Sequence, residues 1–125
     1  MSILPGTLRG SLLALALGAA AASCFSERST VTPPEEDLCT GPARADVVVI
    51  RNFSFQPAQL RVSPGTRVTW VNCDTDPHTS TADAGGWDSP LLGSGAVFSR
   101  TFDRAGSFAY HCEPHPFMTA SVVVE

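Results

Sequence analysis

From Asp46 to its end, the chain is a series of short runs rich in β-branched and aromatic residues, each closed by turn residues. No stretch repeats its apolar positions at the spacing of an amphipathic helix. Residues 47–50 (Val-Val-Val-Ile), 59–62 (Gln-Leu-Arg-Val), 67–71 (Arg-Val-Thr-Trp-Val), 97–102 (Val-Phe-Ser-Arg-Thr-Phe), 107–112 (Ser-Phe-Ala-Tyr-His-Cys) and 120–124 (Ala-Ser-Val-Val-Val) read as strands. Pro57, the Ser-Pro-Gly turn at 63–65 and the Asp-Arg-Ala-Gly turn at 103–106 separate them. The alternation in 67–71 and 97–102 gives each of those strands one buried face. Short strands with regular turns predict an all-β sandwich, with Trp70, Phe102 and Phe108 in its core.

This domain is expected to span residues 46–125, about 80 residues. Domains of that size bury a limited core and often depend on a metal or on disulfides. Residues 1–23 read as an export signal. Arg9 is the only charge there, and residues 11–22 form an apolar or small-residue run too short to span a membrane. Ala20-Ala-Ala22 suits an ordinary signal peptidase, whereas Ala21-Ala-Ser-Cys24 resembles a lipoprotein signal in which Cys24 carries the lipid. Residues 24–45, with Pro33-Pro34-Glu35-Glu36-Asp37, read as an extended tether. The expected location is therefore the bacterial periplasm or a lipid anchor on the cell envelope. All eight basic residues are Arg against twelve acids, so no basic cluster exists to grip nucleic acid.

The chemistry concentrates near the C-terminus, in Tyr110-His-Cys-Glu-Pro-His-Pro-Phe-Met118. Cys112, His115 and Met118 follow one another at intervals of three, and His78 lies upstream after Pro77. A thiolate and a thioether are soft ligands that favour copper, and imidazole suits both of its oxidation states. Two His and one Cys in a plane, with a weaker axial Met, are the ligands of a type 1 copper ion. Strand parity puts Tyr110 and Cys112 on one face and turns His111 away from the metal. Pro114 and Pro116 stiffen the loop that follows. His78 must then come from the end of an adjacent strand. Glu113 reads as a solvated loop residue.

The segment resembles the copper loop of the cupredoxins, in particular the plastocyanin and amicyanin group. Val68-Thr-Trp-Val-Asn72 and Pro77-His78-Thr79 resemble that group's first-ligand strand, and the resemblance covers residues 46–125. It implies a Greek-key β-sandwich (cupredoxin-like) with one type 1 copper at one end, held by His78, Cys112, His115 and Met118. It also implies that His115 is the ligand nearest the surface, inside an apolar patch to which Pro114, Pro116 and Phe117 contribute. Redox proteins would dock there transiently, near His115, Pro116 and Phe117. One position departs from the pattern. Asn usually follows the first His and ties its strand to the Cys loop. Here Thr79 stands there and can make a similar but shorter bond. Residues 83–95 have no clear counterpart in the family.

If Cys24 carries lipid and Cys112 binds copper, Cys39 and Cys73 remain as a disulfide pair. The rival pairing is Cys24–Cys39 with Cys73 free. The expected function is a monomeric carrier of single electrons outside the cytoplasm. A copper storage or delivery protein is the alternative, disfavoured because the chain has only two Met, one of them the initiator. An enzyme is not expected, because all three His belong to the one motif and none is left for a second centre.

Overall fold

A computed structural model describes residues 35–125. Its first element is a short helix, α1 (Glu35–Thr40). Eight strands follow: β1 (Val47–Arg51), β2 (Ser54–Gln56), β3 (Gln59–Val62), β4 (Thr66–Asn72), β5 (Thr81–Ala82), β6 (Val97–Phe102), β7 (Gly106–His111) and β8 (Thr119–Val124). They form two four-stranded sheets, in the orders β2-β1-β4-β6 and β3-β8-β7-β5. Each sheet is mixed: β1 lies parallel to β4, and β3 parallel to β8, while the other pairings are antiparallel. The expected all-β sandwich is the fold observed.

The inward faces follow from the period-two pattern. Val48 and Ile50 of β1, Val68 and Trp70 of β4, Tyr110 of β7, and Val122 and Val124 of β8 are buried in one continuous core. Trp70 stands at its centre, edge-on to Tyr110 across the two sheets and beside Phe98 and Phe102. Burying a large apolar side chain of this kind stabilises by about 1.5–3 kcal/mol. All six strands read from the sequence are present. β2 and β5 are additional, and each is too short to carry a periodic signal.

The reading of residues 24–45 as extended differs from the structure at 35–40, which form α1. Cys39 is bonded to Cys73, with Cα atoms 5.7 Å apart, so the segment is fastened to the sheet rather than free. Arg51 donates a hydrogen bond to the Cys39 carbonyl. The segment lies against β1 and β4, and Val71, which points away from the inter-sheet core by parity, is fully buried. The leader at 1–23, Cys24 and the tether up to residue 34 lie outside the described residues. Among the described residues no helix is long and apolar enough to cross a membrane.

Candidate metal centre

Two chain segments meet at one end of the sandwich. The first follows β4. Asn72 is fully buried, and its side-chain amide donates to the carbonyls of Asp76 and Leu92, both at 2.8 Å. Those bonds shape the loop that delivers His78. His78 then pairs with Leu92 through two backbone hydrogen bonds of 3.1 and 2.8 Å. The second segment is the turn between β7 and β8. The Cys112 amide donates to the Met118 carbonyl at 3.1 Å, and the Met118 amide to the His115 carbonyl at 2.9 Å. These bonds close the loop on itself, with Cys112 and Met118 buried in the core cluster and His115 partly exposed.

The structure brings three of the four candidate side chains to a common point. Cys112 Sγ lies 3.6 Å from His78 Nδ1 and 3.7 Å from His115 Nδ1, and the two Nδ1 atoms are 3.2 Å apart. The point equidistant from these atoms lies about 2 Å from each, an ordinary bond length from imidazole nitrogen to a first-row metal ion. The chemistry of the donors agrees. His78 Nε2 is 2.9 Å from Asp74 Oδ2, and a carboxylate can only accept, so the ring proton sits on Nε2 and Nδ1 presents a lone pair. A buried lone pair, a second imidazole nitrogen and a thiol facing one another form a set that a soft cation satisfies. Met118, the fourth candidate, is 2 % exposed, in the same core cluster as Cys112.

The thiol is supported by backbone and hydroxyl groups. The Thr79 amide points at Cys112 Sγ at 3.4 Å. Thr79 Oγ1 accepts the Glu113 amide at 2.8 Å, so this hydroxyl makes the tie between the first-ligand strand and the Cys loop. It is linked in turn to Thr81 Oγ1 at 3.0 Å, and Thr81 donates to Asp88 at 2.9 Å. Residues 83–95 therefore have a role: Trp87 donates to Ser80 Oγ, Ser89 accepts the Ser80 amide, and Leu92 pairs with His78. They brace the segment from His78 to Thr81.

His111 points away, as its parity requires. Its Nδ1 is 2.6 Å from Asp83, and its Nε2 is 3.6 Å from Glu113. The bond to Asp83 raises the His111 pKa, slight burial opposes this, and Glu113 adds a smaller raise. Glu113 is thus solvated but paired with His111.

Two further residues at the site are barely signalled in the sequence. Asp74 accepts the backbone amides of Asn52 and Phe53 at 2.7 and 2.9 Å in addition to the His78 ring. Phe53 stands edge-on to both imidazoles, with centroids 5.2 Å from His78 and 5.1 Å from His115, and stacks on Phe117 at 6.5 Å. Asp74 lies four residues before His78, the one local hint. Phe53 reaches the site through a hairpin turn that no local pattern connects to it.

Comparison with known proteins agrees with this geometry. The family described as copper binding proteins, plastocyanin/azurin family, matches residues 44–125. Amicyanin-alpha of Methylorubrum extorquens is 33% identical over 117 residues, covering 90% of this chain and 98% of the relative. Amicyanin of Paracoccus denitrificans is 34% identical over 127 residues, covering 94% of this chain and 95% of the relative. Among solved structures, the Cu(I) form of an amicyanin mutant superimposes with a TM-score of 0.61 at 34% identity, over 70% of this chain and 89% of that one. A purple cupredoxin from Nitrosopumilus maritimus gives a TM-score of 0.60 at 28% identity, over 63% of this chain and 98% of that one. The His78, Cys112 and His115 cluster fits a single type 1 copper ion. The chain belongs to the plastocyanin/azurin family of copper-binding proteins, as a cupredoxin of the plastocyanin/amicyanin type.

Proposed function

We propose that the protein carries single electrons between redox partners outside the cytoplasm, using one copper ion held by His78, Cys112 and His115 with Met118 as a weaker fourth ligand. The observation that carries this reading is the convergence of the three donor atoms, all within 4.8 Å of one another, on a buried thiol. When bound there, copper supplies a one-electron couple. The protein's own groups do the rest. The Thr79 amide stabilises negative charge on the Cys112 sulfur, and the bonded loop between Cys112 and Met118 limits movement of the site. Such fixed surroundings keep reorganisation small when charge changes.

His115 is the cluster member that reaches the surface, and Pro114, Pro116 and Phe117 around it are exposed. Phe117 is 71% exposed, which suits a small apolar patch for brief docking of a redox protein. Export is supported by the Cys39–Cys73 disulfide, a bond favoured in oxidising compartments. The signal at 1–23 and lipidation of Cys24 belong to the same proposal, and the carrier works as a monomer without catalysing a reaction of its own.

The test is the visible spectrum of the Cu(II)-loaded protein before and after ascorbate. Intense blue colour that bleaches on reduction and returns in air is expected. Bound copper that leaves the protein pale would overturn the reading and favour storage or delivery. Cys112→Ser should abolish the colour.

A further inference from the structure

The turn between β1 and β2 is built against local preference. Arg51 pairs with Ser54, so Asn52 and Phe53 are the two central residues of a tight hairpin. Their φ angles are 52° and 54°, both in the left-handed region. A two-residue hairpin needs that conformation, and Asn accepts it readily. The second position is usually Gly, because a side chain there is strained. Here it holds Phe.

Two observations explain why the strain persists. First, one carboxylate caps the whole turn. Asp74 Oδ1 accepts the Asn52 amide at 2.7 Å, and Oδ2 accepts the Phe53 amide at 2.9 Å. Second, the ring that Gly would lack covers both imidazoles of the metal site, edge-on at 88° to each. The oxygen that caps Phe53 also accepts a hydrogen bond from His78 Nε2–H at 2.9 Å. Asp74 itself is anchored, since its amide donates to Asn72 Oδ1 at 2.9 Å. Its side chain is only 11% exposed, so water replaces little of this bonding.

We propose that Asp74 is a positioning residue acting in two directions at once. It fixes the His78 ring with Nδ1 turned to the metal site, and it holds Phe53 in the left-handed turn that lays its ring across His78 and His115. This rests on the reading that copper binds there. The Asp74 carboxylate receives three N–H groups, from Asn52, Phe53 and the His78 ring. A fixed negative charge behind one ligand ring favours the more highly charged metal state. Asp74 thereby sets the reduction potential as well as the geometry.

The experiment compares the full-length protein with Asp74→Asn and Phe53→Gly, metal-free and copper-loaded. In the metal-free wild type, nitrogen NMR should place the His78 proton on Nε2, and the Phe53 ring should show contacts to both imidazoles. Asn keeps the size of Asp but replaces one acceptor oxygen with a donor, so it cannot receive three N–H groups. Asp74→Asn should lose the Phe53 contacts. Copper-loaded, it should favour Cu(I) over Cu(II) by about tenfold relative to wild type, which is about 59 mV upward for one electron. Gly adopts the turn without strain, so Phe53→Gly should fold, keep the proton on His78 Nε2 and exchange that proton faster with water.

A wild-type His78 proton on Nδ1, or no contact between Phe53 and the imidazoles, would overturn the proposal. So would an Asp74→Asn variant with wild-type spectra and potential. Should Asp74→Asn fail to fold, the wild-type and Phe53→Gly spectra still decide. Failure of the wild type to take copper would instead refute the copper reading, and the metal-free spectra would still judge Asp74.

Discussion

Thr79 shows how little of a side chain can join two segments. Its amide serves the Cys112 sulfur, while its hydroxyl accepts the Glu113 amide and donates to Thr81, whose own hydroxyl donates to Asp88. The two functions separate by mutation. Thr79→Val keeps the shape and the backbone amide but leaves the Glu113 N–H without its acceptor. An amide orphaned in this way costs about 1–3 kcal/mol, toward the lower figure because the site is only partly buried. Urea denaturation should therefore show a loss of about 1 kcal/mol, with blue colour retained, and Thr79→Ser should restore most of it. A colourless Thr79→Val protein would mean that the hydroxyl supports the copper site itself. The candidate ligands were legible because three of them share one loop with a fixed interval and strand parity assigns Cys112 its face. Asp74 and Phe53 were not, because their roles arise from contacts between loops that only the folded sheets bring together.

At the level of elements, the strands with clear alternation or a β-branched run were readable, and their ends moved by a residue or two. β2 and β5 escaped because three and two residues cannot show a period. α1 escaped for a different reason. Residues 33–37 are rich in Pro and acids, which suit a helix start, but they have no apolar repeat, and a helix of six residues needs tertiary support. The support includes the Cys39–Cys73 bond, which fastens this segment beside the end of β4. A cross-link closing a loop of this length restricts the unfolded chain by about 3–4 kcal/mol. Replacing both cysteines by Ala should lower unfolding stability by about that amount in guanidinium denaturation. The loss should be smaller if the unfolded chain stays compact around this segment. Because Cys73 precedes Asp74, the copper spectrum of that variant also reports whether α1 steadies the metal site. An unchanged spectrum with reduced stability would confine the disulfide to holding the fold.

Across the whole molecule, the proposed carrier would keep what fixes its potential apart from what meets its partner. The thiol, His78 and Met118 are buried with the core behind them, whereas His115 lies in a surface of prolines and Phe117. That division makes a sharp prediction for Phe117. Its ring is 71% exposed, so its removal should change stability by no more than about 0.5 kcal/mol. It contacts His115 and Phe53 only through ring packing at 6.0 and 6.5 Å, and it bonds to none of the three clustered donor atoms. The potential and colour of Phe117→Ser should thus stay near wild type. Electron exchange between molecules is different under the proposed docking, because two copies would bring their His115 patches together, and an aromatic anchor in a small interface is worth about 1–2 kcal/mol. Line broadening in mixtures of reduced and oxidised protein should therefore report a self-exchange rate about tenfold lower for Phe117→Ser. If the rate is unchanged while Asp74→Asn shifts the potential, electrons leave the molecule by another face and the apolar patch is not the docking surface. If both rate and potential fall together, Phe117 acts on the site through Phe53 rather than on the partner.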